Sequence, residues 1–329
     1  MARNAVIAAT GMAVPDRVVP NAYFDELLGE DVDTWLRENL TIRERRWCRE
    51  DESTADLVER AAREILARAG AAADTVDLLV VATDTPEYVS PSTAAVVQDR
   101  LRLVKAGTFD LNTACAGFVT ALDLGAKYVQ ADPRYRRVLV VGAYAMSKYL
   151  DPGDKKTVNL FADGAAGVLL EATEEDRGWL AARLHTEGQY ADWMGIYAGG
   201  TAQPVTHEVI DRGQHKLRFV RKFPPEINPE TWTRMVRETV QDAGFTVADV
   251  DRIFFTQINI NSIRETMDRL DLPMERTHCV MDRYGYTGSA CIPMALAEAD
   301  RQGQLRPGDR VVFMGSGGGL AFACCAFRW

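Results

Sequence analysis

Asn112-Thr113-Ala114-Cys115-Ala116-Gly117-Phe118 is the stretch on which the reading of this chain turns. It follows a strand-like run over 108–112 and leads into a helical pattern over 116–130 that carries Leu122 and Val129. The thiolate is the nucleophilic form of cysteine, and the partial positive charge at a helix N-terminus stabilises it. Ala114, Ala116 and Gly117 are small enough to let a thioester approach. The same residues also fit an inert core cysteine at a tight turn, because free cysteine is among the most buried residue types.

Around that turn the N-terminal half alternates strand and helix patterns. Residues 4–10 form an apolar strand ending at Gly11, and 76–83, 138–141 and 164–171 are three more. Residues 53–69 place Leu57, Val58, Ala61, Ala62, Ile65 and Leu66 at helical spacing, with Ser53 as N-cap and Gly70 as the stop. Residues 92–101 read as a helix after Pro91. The C-terminal half repeats the plan, with helices over 231–243, 262–270 and 289–301 and strands over 252–256, 279–281, 310–314 and 321–327. This alternation predicts an α/β fold with helices covering sheets. Two comparable halves, 1–172 and 173–329, suggest an internal duplication. Residues 190–229 break the rhythm with Gly199-Gly200, Pro204, Gly213, Pro224-Pro225 and Pro229, and read as an irregular insertion or cap.

The 329 residues are 47% hydrophobic and 26% charged, the balance of a folded globular chain. A net charge of −9 argues against non-specific nucleic-acid binding. The opening residues do not read as a secretory signal and no apolar run is long enough to span a membrane, so a cytoplasmic enzyme is expected. The six cysteines (48, 115, 279, 291, 324 and 325) show neither a C-x-x-C pair nor zinc-ligand spacing. Neither a metal nor a cofactor is expected.

Four further motifs accompany the cysteine motif: Thr41-Ile42-Arg43-Glu44-Arg45, Phe161-Ala162-Asp163-Gly164-Ala165, Asp282-Arg283-Tyr284-Gly285-Tyr286-Thr287-Gly288-Ser289-Ala290 and Gly317-Gly318-Gly319. In kind, order and separation the set resembles the β-ketoacyl-ACP synthase III family. The resemblance implies a duplicated, five-layered αβαβα thiolase fold, normally a homodimer, with Cys115 carrying an acyl group. It also implies an oxyanion hole formed by the N–H groups of Cys115 and Gly319, where glycine lets the backbone come close to a thioester carbonyl.

The chain departs from the family where decarboxylation is carried out. The family's His-Gln-x-Asn motif corresponds to Thr256-Gln257-Ile258-Asn259, so Thr256 stands in place of the catalytic histidine. The family's Gly-Asn-Thr becomes Gly285-Tyr286-Thr287, so Tyr286 stands in place of the second enolate-stabilising donor. A one-residue slip would put Gln257 at the histidine position and restore nothing. Of the other histidines, His278 and His185 read as structural, while His207 and His215 lie in the insertion, from which a loop could return one to the pocket.

Acylation of Cys115 needs a thiolate, an oxyanion hole and a pocket, but no decarboxylation machinery. The expectation is therefore an acyltransferase taking an acyl group from an acyl-CoA or acyl-ACP donor to a small-molecule amine or hydroxyl, or to another carrier. Family-like enzymes used this way occur in antibiotic and polyketide pathways. The alternatives are a starter-unit synthase performing Claisen condensation and a non-condensing subunit of a heterodimer. By resemblance the donor would contact Trp35, Lys155 and Asn259, although Asn39, Lys155, Asn261 and Asp268 replace family arginines or basic residues.

Overall fold

The structure is a computed structural model that describes residues 3–329; residues 1 and 2, which open the first half, lie outside the described residues. Two mixed sheets organise it. The first runs Asn4–Ala13, Asp163–Thr173, Arg137–Ala145, Leu78–Ala82, Gly107–Leu111, with its last two neighbour pairs parallel. The second runs Arg252–Phe255, Arg310–Gly317, Ala321–Arg328, Gly178–Thr186, and only its first pair is parallel. Leu78–Ala82 is buried at every position, as a continuous apolar run in a covered parallel sheet should be.

Helices build three layers around these sheets. Thr54–Ala69 and Thr93–Leu101 cover the outer face of the first sheet, and Ile227–Asp242 covers the second with Ile260–Leu270 against it. Gly117–Ala131 and Cys291–Arg301 lie between the sheets and touch both. Residues 291–299 of the latter are all buried, as a helix with sheet on either side requires. Local signals set the boundaries. Ser53 and Asp56 form a capping box, Gly70 closes that helix in the left-handed conformation, and Ser92 caps the next helix by accepting from Ala95 N–H.

Three elements differ from the sequence expectations. Residues 279–281 are not a strand. The Gln257 carboxamide donates to His278 O (2.8 Å) and accepts from Val280 N–H (2.8 Å), using groups a ladder would need, and the chain turns into the helix Met281–Tyr284. Gly178–Thr186 is a strand that escaped notice, because the adjacent Trp179-Leu180-Ala181-Ala182 hides any clean alternation. The helix expected from 289 begins at Cys291, after a tight turn over Gly288–Ala290.

Two other motifs are structural clips. The Asp163 carboxylate accepts from Cys48 N–H (2.7 Å) and Ser147 N–H (2.8 Å). Buried Arg45 donates to Asn21 Oδ1 (2.8 Å) and Asn159 O (2.7 Å) and stacks over Phe24. The 190–229 segment contains a two-residue hairpin pairing, Met194–Gly195 with Arg218–Phe219, and the short helix His207–Asp211.

Candidate active site

Cys115 occupies a sharp turn between Gly107–Leu111 and Gly117–Ala131. Ala114 before it has φ +46°, a left-handed conformation that costs an L-residue roughly 1–2 kcal/mol. Local hydrogen bonds hold it there: Ala114 N–H donates to Asn112 Oδ1 (2.9 Å), and Gly117 N–H to Ala114 O (2.9 Å). Strain of this kind collects at functional sites.

The end of Arg310–Gly317 passes directly beneath this turn. A Cβ on Gly317 would lie 2.4 Å from Cys115 N, so only glycine permits the approach. Gly319 has φ +138°, its N–H has no hydrogen-bond partner among the described residues, and the Cys115 N–H is directed at its own thiol. Gly318 and Gly319 line the same cavity as Cys115, and without side chains they leave the backbone open to a ligand there.

Tyr286 and Thr256 have diverged in role. The Tyr286 phenol is fully buried beside the Cys115 thiol and favours its thiolate form. Its ring packs on Phe161 at 5.4 Å and Tyr144 at 6.4 Å. Thr256, expected to be catalytic, is corrected by the geometry: its hydroxyl accepts from Ser316 N–H (2.9 Å) and donates its one proton to Ser316 O (3.2 Å). The side chain braces the glycine loop. Gln257 is committed to the 278–280 backbone, so the alternative register supplies no group either.

Burial pushes the Cys115 thiol well above its ordinary value, and the neighbouring Asp84 carboxylate pushes it further. The Tyr286 hydrogen bond works in the opposite direction and favours the thiolate. Asp84 itself is pushed up to about 6 by desolvation. Sequence reasoning missed this residue; the only signal was an acid closing the strand pattern Val80-Val81-Ala82-Thr83.

Two cavities meet at the turn. An outer channel of about 590 Å³ runs from Trp35, Lys156 and Lys222 past Ile258 and Asn259 to Tyr286, Gly317 and Gly318. An inner cavity of about 240 Å³ is lined by Cys115, Asp84, Asn112, Tyr144, Gly318 and Gly319, with Met194 and Leu217 from the cap. The cap therefore roofs both. Trp35, 54% exposed, lines the channel. Asn259 lines the channel while capping the helix Ile260–Leu270. Lys155 does not line it: its ammonium is paired with Glu30 at 3.0 Å, and Lys156 takes its place.

Among the described residues no histidine lines either cavity. His278 binds Glu298 at 3.0 Å, and His185 lies 3.4 Å from Glu187. His207 starts the short cap helix, and His215 is half-buried elsewhere in the cap.

Comparison with known proteins agrees with this geometry. The family description "3-Oxoacyl-[acyl-carrier-protein (ACP)] synthase III" matches residues 109–188, and its C-terminal counterpart matches 240–329. A β-ketoacyl-[acyl-carrier-protein] synthase III of Ruegeria pomeroyi is 37% identical, with all of both chains aligned. The solved 3-oxoacyl-[acyl-carrier-protein] synthase III of Aquifex aeolicus superposes with a TM-score of 0.89 at 28% identity, covering 99% of this chain and 100% of that one. The priming β-ketosynthase of the R1128 polyketide pathway gives 0.88 at 25% identity, covering 98% and 96%. The chain belongs to the 3-oxoacyl-[acyl-carrier-protein] synthase III family and has the thiolase fold.

Proposed function

We propose that Cys115 takes an acyl group from a CoA or carrier-protein thioester, with the amides of Cys115 and Gly319 receiving the carbonyl oxygen. Attack by the thiolate forms the new C–S bond as the donor's C–S bond breaks and its thiol leaves protonated. The glycines that share a cavity with Cys115, and a channel that reaches Gly317 where it lies against the cysteine turn, support this reading. Peptide mapping after incubation with acetyl-CoA and acyl-ACP tests it. The acyl group is expected on Cys115, and Cys115→Ala is expected to lose all turnover with an unchanged fold.

Two readings exist for the acyl group's departure. The comparisons favour condensation with a malonyl thioester, since the relatives carry the synthase name over the whole chain length. One feature of the site favours the other, transfer to an amine, hydroxyl or second carrier without decarboxylation. An enolate forming beside Cys115 would find the Thr256 hydroxyl bonded to Ser316 and no imidazole lining either cavity. On the geometry, transfer is the reading we adopt. Release of labelled carbon dioxide from malonyl thioesters separates the two.

The same reading includes a homodimer. Gly107–Leu111 is an edge strand whose free side could continue the sheet into a second copy, and Tyr88 and Val89 form an exposed apolar tip nearby. Sedimentation at micromolar concentration tests this, with a stable monomer counting against it. The division into halves at 172/173 is supported by the sheets, whose strands fall within 4–173 and 178–328.

A further inference from the structure

Asp84 is the one charged side chain lining the inner cavity, and no lysine, arginine or histidine lines that cavity with it. Its Oδ1 is sealed from solvent and has no hydrogen-bond partner. The groups that feel its charge are Cys115, Tyr144 and Tyr149, and each is made harder to ionise by it. A desolvated carboxylate without a partner is unfavourable for folding, and this one also opposes formation of the nucleophile. Among the described residues no cation pairs with it, and only its own backbone N–H favours the charged form.

The order of the two cavities shows what would. The channel reaches the cysteine turn from outside, and the inner cavity shares only Met194 and Gly318 with it. A thioester threaded along the channel brings its carbonyl to Cys115 and its acyl chain into the space beyond, where Asp84 stands. We propose that Asp84 is a specificity-determining residue that receives a protonated amine on that chain, so that the donor is a short aminoacyl thioester. The inference rests on acylation of Cys115, proposed above. Asp84 takes no part in bond exchange: the cysteine thiolate attacks the carbonyl carbon, the donor's C–S bond breaks, and the departing sulfur takes the proton. An ammonium beside Asp84 cancels the charge that opposes ionisation of Cys115, so the matching donor also activates its own nucleophile.

The experiment measures Cys115 acylation by intact-protein mass spectrometry with N-acetylcysteamine thioesters. The β-alanyl and 4-aminobutyryl esters are set against their methyl-ended isosteres, butyryl and pentanoyl. At neutral pH the wild-type protein should load at least one ammonium chain about tenfold faster than its isostere, the worth of one charge-assisted hydrogen bond. Asp84→Asn should abolish or invert that preference. Faster loading of both alkyl chains by the wild type, or an undiminished ammonium preference in Asp84→Asn, overturns the inference while leaving the acyl-enzyme intact. Failure of all four to load Cys115 overturns the acyl-enzyme reading, and this inference with it. The wild-type comparison is decisive even if the variant folds poorly.

Discussion

The Tyr286 phenol is buried beside the Cys115 thiol and, by hydrogen bonding, favours its thiolate, at a position where the family pattern places an enolate-stabilising donor. Both groups are buried, and burial alone makes the thiolate unfavourable. Tyr286 acts against that burial. Asp84 acts with it, so the phenol is the neighbouring side chain that favours ionisation. On the acyl-enzyme reading proposed above, Tyr286 would act in the acylation step.

Tyr286→Phe removes that hydrogen bond while keeping the ring that packs on Phe161 and Tyr144. The bond lowers the thiol's proton affinity, so its loss raises it and leaves less thiolate at a given pH. The pH profile of Cys115 alkylation by iodoacetamide should move to higher pH. Acylation at neutral pH should slow by roughly tenfold, the low end for a hydrogen bond to a charged group. An unchanged alkylation profile would assign the phenol to substrate positioning alone.

Thr256→Val tests whether the threonine braces or reacts. The substitution keeps shape but leaves Ser316 N–H and C=O without their side-chain partner in a buried strand. Unsatisfied buried groups of this kind cost roughly 1–3 kcal/mol, so the unfolding midpoint in urea should fall accordingly. Acylation should fall only modestly, as the glycine loop loosens. Complete loss of acylation with unchanged stability would return Thr256 to the chemistry.

What was legible in the sequence was local. Ser53, Gly70 and Ser92 mark helix ends through bonds to residues three or four positions away, and Cys115 stands at a turn held by Asn112 and Ala114. What escaped depends on distant parts of the chain. The strand expected at 279–281 is undone by Gln257, more than twenty residues earlier, and Thr256 is engaged by Ser316, sixty residues later. Lys155 and Lys156 differ in role only because Glu30 holds one of them outside the channel. Asp84 follows the strand Leu78–Ala82, and only the packed sheet brings its carboxylate to the cavity that Cys115 lines.

Asp84→Asn should stabilise the protein in a pH-dependent way. The carboxyl is pushed from its ordinary 3.8 up to about 6 in the fold. Between those values the folded state binds more protons than the unfolded one, so wild-type stability falls as pH rises through that window. Asparagine carries no such penalty. Its advantage in thermal unfolding should be full above about pH 6 and fade as pH approaches 4. An equal gain at every pH would mean that Asp84 is not desolvated in the native state.

The last prediction concerns carbon dioxide. Decarboxylation of a malonyl thioester leaves an enolate whose oxygen must be met by hydrogen-bond donors, and removing one such donor typically costs roughly 3–4 kcal/mol. In this site the Thr256 hydroxyl is bonded to Ser316, no histidine lines either cavity, and the Tyr286 phenol favours the Cys115 thiolate. Once Cys115 is acylated, the sulfur is a poorer acceptor, which frees the Tyr286 hydroxyl to orient an incoming amine or alcohol. The acylated protein should therefore release labelled carbon dioxide from malonyl-CoA or malonyl-ACP far more slowly than it transfers its acyl group. The double variant Thr256→His with Tyr286→Asn supplies both missing donors and should raise that release, at the expense of acylation, because it discards the phenol that favours the thiolate. Carbon dioxide release by the unmodified protein, coupled to a β-ketoacyl product and matching acyl transfer in rate, would overturn the transfer reading in favour of the condensing one. It would also require a donor from outside the two cavities, and His215, whose Nδ1 lacks a partner in the cap, is the first histidine to substitute in that case.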